Sequence, residues 1–491
     1  MAKIPQPAKK SYFFDKGYAD MRNTIKGAWS RNGESIKNYA ENLQDLGHIS
    51  SLPIKIFMAV INILAIIAII ICGSVITAFI TTINVAVLLL FMAIVYIGFS
   101  VIWLVDRIYL ARKKIFTACH ECKEKSLIPT YICGKCGAKH TNLTPGVYGI
   151  LHRKCNCGEI LPVTFFNGRK ELEAECPHCG RSLTDKESRP LCIPIVGGRS
   201  VGKTAFITAF SKEFIESIAP AKGIKIDHYN SAKNDIYKEI IQDYNMGSTR
   251  MTARPHDVTQ ASAVSFSFFA KHPSFSPDRL IHIYDIAGEV FTDNNENEIQ
   301  KQYEYCQGIV LMIDPFAIPS VRYKYEELLE PEDIAGIGKA DINEVINAFL
   351  NKLRQVTGLS DNKMATVPLA IVIGKMDCAG LEQDIGDIAV NKLMCAEPDK
   401  YTDYYDTQDY LCRKFLKEND MESFLSNITI QFKTNRFFAC SAIGHTRDKG
   451  KYEPKGVLAP MQWLFGLADH KMGQVWNDIT FSKKSIPYGE Q

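Results

Sequence analysis

Charge is missing from one long stretch of this 491-residue sequence: no residue from Ile56 to Val105 is charged. Fifty such residues in a row exclude an ordinary water-exposed loop. They also supply enough apolar length for two membrane crossings, since one helical span takes about 20 residues. The chain as a whole lacks a dominant charge, with 57 Lys/Arg against 54 Asp/Glu. A formal net charge of +3 gives no electrostatic case for a nucleic-acid partner. Cysteine is sparse outside one window: eight of the fifteen fall between residues 119 and 179, in close pairs, and seven are scattered. That distribution argues against a disulfide framework and for metal ligation.

The polar cluster Thr81-Thr82-Ile83-Asn84 offers a break in the uncharged run. The expectation is therefore a hairpin of two transmembrane helices within residues 53–110, at Phe57–Ile80 and Val85–Val105. Lys55 precedes the run, and Arg107, Arg112, Lys113 and Lys114 follow it. By the positive-inside rule both flanks are cytoplasmic, which makes a lipid membrane the expected location. The run starts too late and is too long for a cleaved signal peptide. Residues 1–52 are polar, with scattered aromatics such as Tyr12, Phe13 and Phe14, and read as a solvated cytoplasmic arm.

The cysteine window, residues 115–185, reads as tandem zinc ribbons. The first set is Cys119-x2-Cys122 with Cys133-x2-Cys136, the second Cys155-x-Cys157 with Cys176-x2-Cys179. Four thiolates make a closed tetrahedral Zn²⁺ site, which is structural rather than catalytic. The tight Cys155-x-Cys157 spacing leaves His140, His152 or His178 open as a substitute ligand. No basic-aromatic stripe singles out nucleic acid, so a spacer or a protein-docking module is the expected role.

More than half of the chain, residues 190–470, carries phosphate chemistry. Leu191–Val196 is an apolar run that reads as a buried strand. Gly197-Gly198-Arg199-Ser200-Val201-Gly202-Lys203-Thr204 follows in the pattern GxxxxGK[ST], and Ala205–Phe210 continues as a helix. In such a loop backbone N–H groups wrap the phosphates, the lysine reaches the terminal phosphates, and the Thr hydroxyl ligates Mg²⁺. Leu280–Asp285 is a second strand, ending in Asp285-x-x-Gly288-Glu289. Gly308–Asp314 is a third, and Leu369–Ile373 a fourth that ends in Gly374-Lys375-Met376-Asp377. Phe437–Ala439 leads to Ser441-Ala442. The Gly374–Asp377 end resembles the NKxD or TKxD guanine motif, whose Asp carboxylate accepts two hydrogen bonds from the guanine edge, a donor pair adenine lacks; the resemblance implies that role for Asp377.

Taken in this order, the pieces resemble the Ras-like, translation-factor-related (TRAFAC) class of P-loop GTPases. The layout of membrane segments, zinc ribbons and a large nucleotide domain also resembles bacterial double-GTPase proteins of defence or signalling systems. The resemblance implies a three-layer α/β sandwich with a mostly parallel sheet. It implies GTP and Mg²⁺ as ligands, Asp285 and Gly288 in the second switch, and Lys375, Asp377, Ser441 and Ala442 around the base. A protein partner or effector is implied too.

Three departures stand out. Gly374 replaces the usual Asn or Thr. Glu289 stands where many relatives have Gln, which implies slow hydrolysis. Arg199 either supplies a positive charge to the phosphates in cis, as an arginine finger does in trans, or points to solvent. Thr252 or Thr259 can complete the Mg²⁺ shell, and Thr252 is preferred. A membrane-linked ATPase and a non-hydrolysing scaffold are the competing readings. Asp341-Ile-Asn-Glu344 opens a helix with an apolar stripe, and residues 471–491 read as a tail, flexible from Phe481 onward.

Overall fold

The computed structural model describes residues 6–119, 122, 124–183, 187–228, 231–247, 265–285, 301–331, 334, 336–338, 341–360, 363–445, 451–479 and 481. These residues fall into two compact units. One comprises residues 1–112 and 129–175, the other residues 113–128 and 176–491. The cysteine window is thus shared between the units rather than forming the separate domain expected at 115–185.

In the first unit the uncharged run forms one helix, not two. Helices α2 (Leu52–Ala68) and α3 (Ser74–Arg112) are joined by a π turn at Ile69–Gly73 and continue through Thr81–Asn84 without a bend. The polar cluster contains no Gly or Pro. Its side chains fold back on the helix, with Thr82 Oγ1 donating to the Ala78 carbonyl (2.9 Å) and Asn84 Nδ2 to that of Ile80 (2.9 Å). Their polarity is met locally, so it does not force a turn. Within the expected arm, residues 16–45 form a helix. Helix α1 (Lys16–Asp45) packs along the apolar helix, with Phe14 edge-on to Tyr96. Asn32 Nδ2 reaches Gly73 O (3.2 Å) and Thr77 Oγ1 (2.8 Å) at the π turn, where the helical ladder is open to an outside donor.

The far end of α3 is locked to the small cysteine module of the same unit. Asp106 and Arg169 form a fully buried ion pair (3.1 Å), and Asp106 also accepts the Phe165 N–H (2.8 Å). The Arg169 guanidinium finds two further acceptors, the carbonyls of Leu143 and Val163. The three added hydrogen bonds meet part of the cost of desolvating both charges.

The second unit is built on a seven-stranded sheet. Its strands are β1 (Arg189–Gly197), β2 (Lys225–His228), β3 (Ser265–Lys271), β4 (Arg279–Asp285), β5 (Ile309–Ile313), β6 (Leu369–Ile373) and β7 (Asn435–Ala439), in the spatial order β2-β3-β4-β1-β5-β6-β7. The five strands from β4 to β7 pair in parallel; β2 and β3 are antiparallel additions at one edge. Strands buried on both faces need apolar residues at every position. In β5, Ile309, Leu311 and Ile313 face one core, while Val310 and Met312 face the other. Helix α4 (Lys203–Glu213) covers one face with Phe206 and Phe210. Helix α6 (Ile342–Thr357) covers the other with Ile346, Phe349 and Leu353, capped by the Asp341 carboxylate at its start and by Gly358 in the left-handed region at its end. The mostly parallel three-layer sandwich expected from the sequence is the fold observed.

The nucleotide unit extends past residue 470. Helices α8 (Leu458–Ala468) and α9 (His470–Val475) pack on each other, and the buried Trp476 lies among Phe210, Phe214 and Phe465. Phe481 packs at a tilt against Tyr405 and stands edge-on to Phe438. The first half of the expected tail is therefore core.

Candidate functional site

The described candidate residues of the nucleotide site follow the carboxyl ends of the parallel strands, where a doubly wound sheet opens its crevice. The loop after β1 turns through Gly197, Ser200 (φ 63°) and Gly202 (φ 89°) into α4. Gly197 has no room for a side chain: a Cβ there meets the Met312 carbonyl of β5 at 2.6 Å. Gly198 completes the turn, and Val201 is buried beneath it. Lys203 is buried, and its ammonium donates to the carbonyls of Gly197 (3.0 Å) and Gly198 (2.8 Å), which holds it across the mouth of the loop. Burial pushes its pKa down, and nearby Asp285 opposes that shift. Thr204, at the first turn of α4, donates its hydroxyl to Asp285 Oδ2 at 2.7 Å. The two residues are far apart in sequence, yet Asp285 ends β4, which pairs directly with β1. One hydroxyl and one carboxylate converge beside a positively poised lysine. This donor set fits Mg²⁺, a hard cation that takes few protein oxygens and completes its shell with phosphate and water.

At the other end of the crevice lie the residues expected around the base. Lys375 follows β6 in the left-handed region (φ 55°). Its ammonium does not extend freely: it is paired with Asp314 (2.6 Å) and also donates to the Gly336 carbonyl (2.9 Å). Asp314 is fully buried at the end of β5 and accepts in addition the N–H groups of Phe316 and Gly338. Gly338 lies against the Arg199 carbonyl, so the same segment touches the phosphate loop. Arg199 itself is exposed. Asp377 is half-buried one turn beyond Lys375, and the Cys378 thiol faces its carboxylate. The loop after β7 is pinned by Ser441, whose Oγ accepts the N–H groups of Ile443 and Gly444 and whose backbone bridges to Lys455. Ala442 sits at the tip of that pinned turn. Position 374 has space: a Cβ there would make ordinary contact with the Val201 carbonyl at 3.5 Å. Gly288, Glu289, Thr252 and Thr259 lie outside the described residues.

Residues 191–398 match the family model Double-GTPase 2. That match, over less than half of the chain, supports a GTP-binding domain of the P-loop GTPase type. Solved structures similar to the chain include the small GTPase Arl6 (BBS3) of Trypanosoma brucei with bound GppNp, at 12% identity, covering 57% of this chain and 99% of that one, with a TM-score of 0.23. The GTP-bound GTPase-like domain of Ski7 from S. cerevisiae is 14% identical, with coverage of 58% and 50% and a TM-score of 0.26; the match thus spans half of that chain. The SRb-GTP/SRX complex of the signal recognition particle receptor from Chaetomium thermophilum is 11% identical, with coverage of 57% and 97% and a TM-score of 0.25. No curated protein matches the chain in sequence.

All eight window cysteines gather into tetrads, but not into the sets expected. Cys119, Cys122, Cys176 and Cys179 form one group, and Cys133, Cys136, Cys155 and Cys157 the other. The second group is nested inside the first along the chain. The cause is strand pairing: residues Thr130 and Tyr131 pair antiparallel with Glu175 and Ala174, which carries each knuckle away from its neighbour in sequence. The first group lies in the GTPase unit, where Phe116 packs on Tyr305 just ahead of Cys119. The second lies in the helical unit, where residues 7–9 bond to Lys154 and Asn156.

Within the groups the closest Sγ–Sγ distances are 3.6–3.7 Å. A tetrahedral Zn²⁺ with Zn–S bonds of about 2.3 Å has edges of about 3.8 Å. The donor sets therefore fit zinc, with four thiols each and no histidine required. His178 contributes its backbone N–H to Cys176 Sγ instead, and the His152 ring pairs with Asn167.

Sequence reading missed Asp314 as a functional residue, treating it only as the end of a strand. Its signal was the same as that of Asp285: an acid closing a fully apolar strand at the carboxyl edge of the sheet.

Proposed function

We propose that this chain is a membrane-anchored GTP-binding switch that hydrolyses GTP slowly with Mg²⁺ and is stiffened by two structural zinc ions. The observation that carries the reading is the 2.7 Å hydrogen bond between Thr204 and Asp285, beside a lysine held over the phosphate loop. Lys203 and the N–H groups of residues 198–204 bind and orient the β- and γ-phosphates, and the start of α4 adds its dipole. Mg²⁺, held by Thr204 and Asp285, would supply charge neutralisation on the transferred phosphoryl group. Asp377 reads the guanine edge, the Lys375 stem lies along the base, and the Ala442 N–H meets O6. Arg199, exposed on the loop, is placed to reach the phosphates once they are bound. Thr252, Gly288 and Glu289 complete the switches in this reading, with Glu289 a poor orienter of water.

The helix from Leu52 to Arg112 is the proposed anchor, since large apolar side chains such as Leu64, Ile76, Phe91 and Leu104 stand exposed along it, although α1 packs on one side. Lipid vesicles should shield Cys72, exposed midway along it, from a membrane-impermeant maleimide; full labelling would remove the anchor. Metal analysis should return two zinc ions per chain, and none would remove the structural ions. The anchor positions the GTPase domain at a surface where an effector protein can meet it. A role in signalling or defence rests on the double-GTPase resemblance.

The test of nucleotide identity is competition binding to the detergent-solubilised chain. Wild type should prefer GTP over ATP by more than 100-fold, and Asp377→Asn should lose that preference and gain affinity for xanthosine triphosphate. Equal binding of ATP and GTP, unmoved by the substitution, would replace the GTP reading with an ATPase.

A further inference from the structure

The segment between α4 and β3 is longer than a minimal nucleotide domain requires, and it carries strand β2 and helix α5 (Ser231–Asn245). Helix α5 ends in Tyr244, which is buried although it lies near a helix terminus. Its hydroxyl donates to the backbone carbonyl of Ala442, in the loop after β7. Its ring stands edge-on to Tyr452 (5.0 Å), and the Lys212 ammonium of α4 lies over its face (5.6 Å). Lys212 also bonds to Asn245 Oδ1, so α5 is fixed to the phosphate-loop helix.

We infer that Tyr244 is a positioning residue for guanine recognition, setting the Ala442 turn so that its N–H points at O6 of the base. The inference rests on the GTP reading above. Four facts converge on it. The turn is short and already pinned on one side by Ser441 Oγ. It has no slack at Gly444, where a Cβ would run into the Glu453 carbonyl. The Ser441 carbonyl accepts the Lys455 N–H (2.8 Å), which fixes the peptide unit carrying the Ala442 N–H, and the tyrosine holds the next unit through the Ala442 carbonyl. Burial pushes the Tyr244 phenol well above its usual pKa, so it stays protonated and can only donate to a carbonyl.

The consequence is that base specificity has a support outside the contiguous base motifs. Asp377 reads N1 and the exocyclic amine from the β6 loop, and the Ala442 turn reads O6 from the β7 loop. Helix α5, attached to the phosphate-loop helix, braces the second of these. A tyrosine without its hydroxyl keeps the packing but frees the turn. The loss should therefore fall on the O6 contact and spare the phosphate contacts.

The test uses the full chain with Tyr244→Phe, and compares the dissociation constants of GDP, ADP and 2-aminopurine riboside diphosphate, which lacks O6. Wild type should hold GDP more tightly than the O6-lacking analogue. In Tyr244→Phe, GDP should weaken about tenfold, a loss on the scale of one buried hydrogen bond and its orphaned acceptor. The analogue should change less than twofold, so the ratio collapses. Tyr452→Phe is the matched control. It removes another hydroxyl, the one bonded to the Gly247 carbonyl, without touching Ala442, and it should leave the ratio at the wild-type value.

An unchanged ratio in Tyr244→Phe, equal weakening of both nucleotides, or the same collapse in Tyr452→Phe would overturn the inference while leaving the GTP reading intact. Failure of wild type to distinguish GDP from ADP would instead overturn the GTP reading, and the inference with it.

Discussion

The two ends of the proposed nucleotide crevice are built in opposite ways. At the phosphate end nearly everything comes from one contiguous segment, residues 197–204, with Asp285 added by the neighbouring strand. At the base end the parts come from five places: Asp314, the Gly336–Gly338 segment, Lys375 to Asp377, Ser441 with Ala442, and Tyr244. The phosphate end uses backbone geometry that a short motif can encode. The base end uses side chains that brace one another across the fold. A contiguous loop fails all at once when its central residue is lost, whereas a braced pocket fails by degrees.

Substitutions at the two ends should therefore differ in size and in selectivity. The largest effect is expected for Lys203→Ala, which removes the buried charge from the phosphate loop. Affinity for GTP and GDP should fall by at least about 100-fold, roughly 3 kcal/mol, with no change in base preference. Isothermal titration measures it, and a loss below tenfold would mean that the loop carries less of the binding than its geometry implies.

Asp314→Asn comes next. It leaves Lys375 without its carboxylate but keeps an acceptor for the Gly338 or Phe316 N–H. GDP should weaken about tenfold, about 1.4 kcal/mol, with a smaller change for inorganic pyrophosphate. Equal losses for both ligands would show that Asp314 serves the whole crevice rather than its base end.

The smallest effect is a gain. Gly374→Asn places an amide beside the Val201 carbonyl, where the backbone leaves space for a Cβ. One added hydrogen bond is worth about 1 kcal/mol, so GDP release should slow about fivefold in stopped-flow displacement. Faster release would show that Lys375 and Asp314 already fill the bracing role and that the amide disturbs them.

This contrast also accounts for what the sequence made legible. The strand–loop–helix around Lys203 could be read because its function depends on residues adjacent in the chain. The parallel strands could be read because burial on both faces leaves an unbroken apolar run, as in Leu369–Ile373. Tyr244 could not be read, because nothing near it in sequence marks its contact with a loop almost two hundred residues away.

The same limit produced the errors elsewhere. Thr81–Asn84 looked like a turn because polarity suggests a break, but hydrogen bonding within the helix satisfies it. Trp476 looked like tail because it follows the last recognisable motif, yet it closes the core against α4. The cysteines were identified by type and spacing. Their grouping was not, because spacing reports on each knuckle alone and strand pairing decides which knuckles meet.

The nested cysteine order bears on how the chain is made. During synthesis Cys119 and Cys122 emerge first and must wait for Cys176 and Cys179, the latter pair beginning 54 positions after Cys122. The inner four cysteines all emerge in the interval. The first complete tetrad available to a metal ion is therefore Cys119, Cys122, Cys133 and Cys136, which is the wrong one. Correct assembly depends on the 130–132 and 174–175 strands pairing, or on exchange of the metal between thiolates. The outer tetrad, whose cysteines belong to the nucleotide unit, completes its ligand set only after the inner four cysteines have all emerged.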